Sequence, residues 1–140
     1  MKLERAIEIA VKAHKGQVDK AGLPYILHPL RVMLALETNA ERIVGVLHDV
    51  IEDCDGWDAE RLSLEGFSEE ILAALDSVTI RAGEDYMAFI GRAGANSIGR
   101  RVKRADLRDN MDLSRIAKPT ERDFARIEKY RAALGKLEKK

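Results

Sequence analysis

Three carboxylates and one imidazole are crowded into six residues of the segment GVLHDVIEDC, residues 45–54, whose other members are mostly apolar. Burying ionised carboxylates costs free energy unless they are paired, protonated or bound to a cation. If the segment is helical, residues four apart lie on the same side, so His48 neighbours Glu52 and Asp49 neighbours Asp53. Mixed imidazole and carboxylate donors suit Mn, Fe, Zn or Ni. The segment therefore indicates a metal site, and the alternative is an exposed helix end without a ligand.

Two distant segments offer further donors of the same kind. His28 precedes Pro29, and a proline biases the residue before it towards an extended backbone, which would fix the direction of the imidazole. In VKRADLRDNMDLSRI, residues 102–116, Asp106 shares a helix face with Asn110. A charged amphipathic helix with internal ion pairs would give the same pattern. A carboxylate from a distant helix is nevertheless what a His–Asp pair needs to complete a metal shell.

Apolar residues recur at helical spacing almost throughout the chain, and no convincing strand pattern is present. Thr38 and Glu41 have the spacing of a capping box, so we expect a third helix from about 39 to 53. A sixth helix should cover about 98 to 113, and a last one should follow Thr120. The pattern predicts an all-α single domain.

Length and composition narrow the class of protein. The 140 residues suit one domain, and 46% hydrophobic residues are too many for a disordered chain. Lys plus Arg and Asp plus Glu number 24 each, so no overall field attracts nucleic acid or membrane. This balance argues against a nucleic-acid binder that uses the basic stretch from 100 to 108. The single Cys54 and the charged N-terminal segment favour a soluble, cytoplasmic protein without a signal peptide.

The order His28, His48-Asp49, Asp106 resembles the H…HD…D signature of the HD metal-dependent phosphohydrolase superfamily. Within it, three segments are similar to the alarmone hydrolase domain of the RelA/SpoT family: AHKGQVDKAGLPYILHP (13–29), LHDVIED (47–53) and VKRADLRDNM (102–111). The resemblance implies a single HD domain over 1–140, a helical bundle of about six to eight helices, without a synthetase domain. It also implies hydrolysis of the 3′-pyrophosphate of guanosine tetra- or pentaphosphate, in which a metal-activated water attacks the phosphate.

The resemblance assigns roles residue by residue. One divalent ion, usually Mn²⁺ in that family, would be held by four ligands: His28, His48, Asp49 and Asp106. Glu52 and Asp53 match the catalytic acidic pair, whose order as acid and base stays open. Asn110 matches a residue on the ribose side of the nucleotide, and Lys20 matches a basic residue of the pocket.

Charge chemistry adds three candidates for binding phosphate, because arginine and lysine pair with phosphate oxygens: Lys103, Arg104 and Arg108. Solvated surface charges are the alternative for each of them. The expected partner is a small phosphorylated nucleotide, with neither nucleic acid nor membrane, and the sequence leaves open whether the chain forms homo-oligomers.

One position departs from the family pattern. Asp19 stands where those hydrolases commonly carry an arginine that packs on the guanine base, and a carboxylate cannot make that cation–π contact. Two alternatives therefore stay open beside alarmone hydrolysis. One is hydrolysis of another phosphorylated nucleotide, and the other is a nucleotide sensor without turnover.

Overall fold

The computed structural model describes residues 2–139, and this part of the chain is all-α, as predicted. Its helices are α1 (Lys2–Ala13), α2 (Leu27–Leu34), α3 (Asn39–Leu47), α4 (Val50–Asp53), α5 (Ala59–Leu64), α6 (Glu69–Ser77), α7 (Tyr86–Gly94), α8 (Ser97–Asn110) and α9 (Glu121–Glu138). Seven of them have eight residues or more, within the predicted six to eight, and α4 and α5 are single short turns. None of the described helices combines the length and apolar character needed to span a bilayer.

Side-chain caps set the starts of most helices. The predicted capping box of α3 is present: the Thr38 side chain accepts a hydrogen bond from the Glu41 backbone N–H, and the Glu41 carboxylate accepts one from the Thr38 backbone N–H. Thr120 and Asp123 form a second box at the start of α9. Four further N-cap side chains accept hydrogen bonds from backbone N–H groups: Asp58, Ser68, Asp85 and Asn96. These bonds satisfy donors that would otherwise lack partners in the first helical turn.

The third predicted helix is broken in the middle of its acidic motif, so the prediction of one helix from 39 to 53 is wrong. Helix α3 ends at Leu47, and α4 begins at Val50. Between them Asp49 has φ −101° and ψ −2°, in the sparsely populated bridge region where active-site residues often occur. The His48 imidazole bonds the Gly45 carbonyl, and such a side-chain bond competes with the regular backbone ladder. The helical spacing of the apolar residues continues across the break, so the sequence pattern does not reveal it.

The expectation of an extended backbone at His28 is also wrong, because His28 and Pro29 lie in the first turn of α2. A proline is tolerated there since its missing N–H would have had no acceptor within the helix. The His28 N–H instead donates to the Tyr25 carbonyl at 2.9 Å. The imidazole is thus held by a helix and not by an extended loop.

Helix α3 is the centre of the larger of two apolar clusters and packs against α1, α2, α6 and α8. Val44, Val46 and Leu47 are fully buried in it. A smaller cluster joins α7, α8 and α9 around Ile90 and Leu107. Helix α8 belongs to both clusters, so the C-terminal end of α3, the start of α2 and the middle of α8 are brought to one place.

Gly99 provides a test of the packing of α8. A methyl group at this buried position would collide with Ser77 Oγ and come within 3.3 Å of the Ala93 carbonyl oxygen. We expect Gly99→Ala to lower the free energy of unfolding by about 1–3 kcal/mol, as overpacking does, measured by urea denaturation. Gly135→Ala in α9 is the control, because nothing lies within 4 Å of its added methyl group. Its stability should stay equal or rise by up to about 1 kcal/mol. Equal losses in both variants would contradict this packing.

Candidate metal centre and its cavities

Four side chains from three parts of the fold converge on one point: His28 of α2, His48 and Asp49 at the α3–α4 break, and Asp106 of α8. Asp106 Oδ1 lies 2.9 Å from His28 Nε2 and 3.3 Å from His48 Nε2. Asp49 Oδ2 lies 3.1 Å from His48 Nε2 and 3.7 Å from His28 Nε2. Both histidines and Asp106 are buried. The structure therefore brings together all four residues that the sequence nominated as ligands.

The outer nitrogen of each imidazole already has a partner. His48 Nδ1 lies 2.6 Å from the Gly45 carbonyl oxygen, which can only accept, so this nitrogen carries the hydrogen. His28 Nδ1 lies 2.6 Å from Asp109 Oδ2 and donates in the same way. Both Nε2 atoms are thereby left facing carboxylate oxygens. Imidazole nitrogens and carboxylate oxygens come this close together only if they share a cation or protons. These nitrogen and oxygen atoms therefore fit a divalent metal.

Hydrogen bonds also orient the two carboxylates of the cluster. The Tyr25 hydroxyl donates to Asp49 Oδ2 at 2.5 Å. Lys103 Nζ donates to Asp106 Oδ2 at 2.8 Å, and Asn110 Nδ2 donates to Asp106 Oδ1 at 3.0 Å. Of the residues predicted to bind substrate, Lys103 and Asn110 therefore bond to Asp106 within this cluster.

The charges in the cluster stabilise each other. Burial disfavours the charged form of His48, but the carboxylates of Asp49 and Asp106 outweigh it and raise the imidazole pKa well above its usual value. Burial likewise opposes the ionised form of Asp106, yet Lys103 and His48 hold its pKa well below the usual range. A divalent ion would compete with protons for the two Nε2 atoms.

Asp109 is the residue of this site that the sequence reasoning missed. It accepts the His28 Nδ1–H and is itself held by two hydrogen bonds from Arg31, Nε to Oδ1 at 2.8 Å and Nη2 to Oδ2 at 3.1 Å. Burial raises the pKa of Asp109, but these partners outweigh it and lower the pKa overall. A signal was available: Arg31 follows His28 by three residues and Asp109 follows Asp106 by three, so both pairs share helix faces.

Glu52 and Asp53 lie beside the cluster but at its exposed edge. One ligand atom from each, with one from Asp49, falls within 4.8 Å of the others. Glu52 does not pair with His48 as an unbroken helix would require, because its Oε1 accepts the Ile80 backbone N–H at 2.9 Å. Partial burial is the main cause that raises the pKa of both carboxyl groups, and the nearby charge of Asp49 raises it further.

The loop that holds Glu52 is fixed in turn by Arg92. Its guanidinium donates to the backbone carbonyls of Asp76 at 2.6 Å and Thr79 at 2.8 Å, and it forms two hydrogen bonds with the Glu84 carboxylate. Ile80 follows Thr79 directly, so the hydrogen bonds of Arg92 also position the Ile80 N–H that donates to Glu52.

A first cavity of about 320 Å³ opens beside the cluster, with His28 in its wall. Lys20 and Asn110 line it, as expected for the pocket, and the other cationic side chains in its wall are Arg31, Arg115 and Arg126. Asp19 lines it too. Its Oδ1 accepts the backbone N–H groups of Ala21 at 2.8 Å and Leu23 at 3.0 Å, so this carboxylate caps a turn at the mouth of the cavity.

Arg104 and Arg108 do not line the first cavity, whereas Lys20 does. Side chains two positions apart on a helix point roughly 200° apart, so both arginines face away from Asp106. They line a second cavity of about 430 Å³. Arg31 and Asp109 line both cavities.

Sequence comparisons relate the chain to longer proteins. None of the protein-family models compared with it matches. It is 43% identical over 79 residues to the guanosine-3′,5′-bis(diphosphate) 3′-pyrophosphohydrolase of Borreliella burgdorferi, a match that covers 54% of this chain and 12% of that protein. It is 32% identical over 129 residues to a GTP pyrophosphokinase of Streptomyces coelicolor, covering 83% of this chain and 15% of the relative. The chain thus spans only a small part of these relatives.

A comparison of structures gives the fold. The chain matches a metazoan ortholog of SpoT, described as hydrolysing ppGpp and acting in starvation responses, with a TM-score of 0.78. The match covers 97% of this chain and 84% of the other at 20% sequence identity, which establishes a shared fold. In sequence and in fold, the chain resembles the hydrolase domain of RelA/SpoT-type proteins.

Asp109 offers a test of how the cluster is positioned. Removing its carboxylate in Asp109→Ala frees the His28 ring and leaves Arg31 without its partner. We expect affinity for Mn²⁺ to fall about 10–100-fold, the usual effect of losing such an outer partner, as measured by calorimetric titration. Asp112→Ala is the matched control, because Asp112 lines the same cavity and bonds Ser114 and Arg115 instead. Unchanged affinity in Asp109→Ala would contradict the role assigned to this carboxylate.

Proposed function

We propose that residues 1–140 form a single HD domain and that this domain is a divalent-metal-dependent phosphohydrolase. Its substrate is a small phosphorylated nucleotide. Guanosine tetra- or pentaphosphate is the first candidate, with removal of the 3′-pyrophosphate. The name of the Borreliella burgdorferi relative and the description of the structural match support this reaction.

One observation carries the proposal. Two imidazole nitrogens and two carboxylates from separate elements meet at a buried point, and each imidazole is tied at its other nitrogen. A purely structural ion pair would not need four acceptor-bearing groups with fixed ring orientations. A divalent ion bound by His28, His48, Asp49 and Asp106 would supply a water of lowered pKa and neutralise phosphate charge. Nitrogen and oxygen donors in equal number suit Mn²⁺, which we propose as the ion.

The protein groups around the centre divide the remaining tasks. Lys20, Arg126 and Asn110 line the first cavity and are positioned to bind the phosphates and sugar of a nucleotide. Glu52 and Asp53 lie at the edge of the cluster and are the groups able to take a proton from the attacking water or to give one to the leaving oxygen. The Ile80 N–H fixes one oxygen of Glu52 and leaves the other free.

A second candidate is the same reaction on a different phosphorylated nucleotide, and Asp19 favours it. Its carboxylate is held by two backbone N–H groups at the mouth of the cavity. It cannot stack on a base as an arginine would, whereas it can accept hydrogen bonds from the amino group of a base. A panel of nucleotides with and without 3′-phosphates distinguishes the two candidates.

The test is release of pyrophosphate from guanosine tetraphosphate by the Mn²⁺-loaded protein, followed by anion-exchange chromatography. Asp49→Ala should abolish both metal binding and turnover. Glu52→Gln should bind the metal normally while turnover falls by about 10²–10⁴-fold, the usual contribution of a general acid or base. Glu60→Gln, an exposed position on α5, is the control and should match the original protein.

Each outcome has a distinct meaning. Turnover that survives Asp49→Ala would overturn the metal-dependent mechanism. Metal binding without hydrolysis of guanosine tetraphosphate, but with hydrolysis of another member of the panel, would select the second candidate. Binding without turnover of any nucleotide would leave a sensor and overturn the enzymatic proposal.

A further inference from the structure

The second cavity has a different character from the first. It lies between α2 with its following loop and the face of α8 opposite Asp106, and its volume is about 430 Å³. No histidine lines it, and four arginines do: Arg31, Arg101, Arg104 and Arg108. Three of these occupy one face of α8, at spacings of three and four residues.

The carboxylates in the wall of this cavity are largely engaged with the protein itself. Glu41 Oε1 accepts the Glu37 backbone N–H at 3.1 Å, and Arg101 bonds its other oxygen at 2.9 Å. Asp109 is occupied by His28 and Arg31. Asp112 accepts the Ser114 N–H at 2.9 Å and pairs with Arg115 at 3.1 Å. Glu37, exposed at the rim, is the remaining carboxylate that faces the cavity.

Arg104 is the side chain that this arrangement leaves without an acceptor. Its Nε is buried and has no hydrogen-bond partner within residues 2–139. Buried donors in proteins nearly always have a partner. No hydrogen bond or ion pair within residues 2–139 engages the Arg104 guanidinium, which lines the cavity and is therefore not held by a protein acceptor. Arg108 is held only weakly, because its ion pair with Glu138, at 3.3 Å, is exposed to solvent.

We propose that the second cavity is a binding site for a multiply charged phosphate-bearing anion. Arg104 is its central contact, and Arg101 and Arg108 flank it. Guanidinium groups donate in a planar fork that matches phosphate oxygens, and the cavity is within the ~300–1,000 Å³ usual for small-ligand sites. The site is separate from the metal cluster, since Arg104 and Arg108 point away from Asp106.

The site can be tested by NMR titration of the ¹⁵N-labelled full chain with inorganic tripolyphosphate. Free Mg²⁺ is held constant as a diamagnetic ion. We expect saturable shifts of amides at 37–41 and 101–105, with a dissociation constant separate from that of any shifts at 20–25 beside the first cavity. A parallel titration with adenosine triphosphate distinguishes a nucleotide ligand from an inorganic one.

Matched variants make the test specific. Arg104→Gln should weaken binding at the second cavity at least tenfold and leave shifts at the first cavity unchanged, while Arg104→Lys should restore part of the loss. Arg122→Gln is the control, because Arg122 is exposed on α9 and lines neither cavity. If Arg104→Gln does not fold, Arg108→Gln replaces it.

The proposal is overturned if the amides at 37–41 and 101–105 show no saturable shift, or if Arg104→Gln binds as tightly as the original chain. Because the readout is binding at a named place and not turnover, this result is independent of whether the domain hydrolyses any nucleotide.

Discussion

The junction of α2, α3 and α8 is held by polar and apolar contacts that depend on each other. The bond between His28 and Asp106 joins residues 78 positions apart, and it forms only if both helices pack against α3. Close packing is possible because Gly45 has no side chain: a methyl group there would come within 2.7 Å of Leu36 Cδ1 and 3.5 Å of Met33 Cα. The carbonyl of the same glycine orients His48. Gly45 thus allows the helices to pack closely, and its carbonyl fixes the orientation of the His48 imidazole.

Around this junction a second set of side chains holds the ligands in place. Tyr25, Lys103 and Asp109 each bond one member of the cluster from a different direction. All three bonds join a ligand to a charged or strongly polar group, and in a buried setting such bonds fix orientation more firmly than in water. These bonds restrict the orientations that the side chains of the cluster can adopt.

The sequence predicted the meeting of four side chains better than the backbone that carries them. Helical periodicity predicts an all-α domain, and the resemblance to the HD signature implies that His28, His48, Asp49 and Asp106 come together, as they do in the structure. Periodicity could not reveal the break at Asp49, because the apolar repeat runs through it. Asp109 was missed because its partners, His28 and Arg31, lie 81 and 78 positions away in the sequence. The sequence could not show that Arg104 and Arg108 line a cavity away from Asp106, because closeness in sequence conceals a rotation of about 200° around the helix axis.

The ion pair between Arg31 and Asp109 also forms part of the wall between the two cavities. The pair therefore separates the two cavities in part, and it also holds the His28 imidazole through Asp109. Asp112 lines both cavities as well. A substitution at any of these three positions would therefore change the shape of both cavities at once, and at Asp109 it would also remove the support of His28.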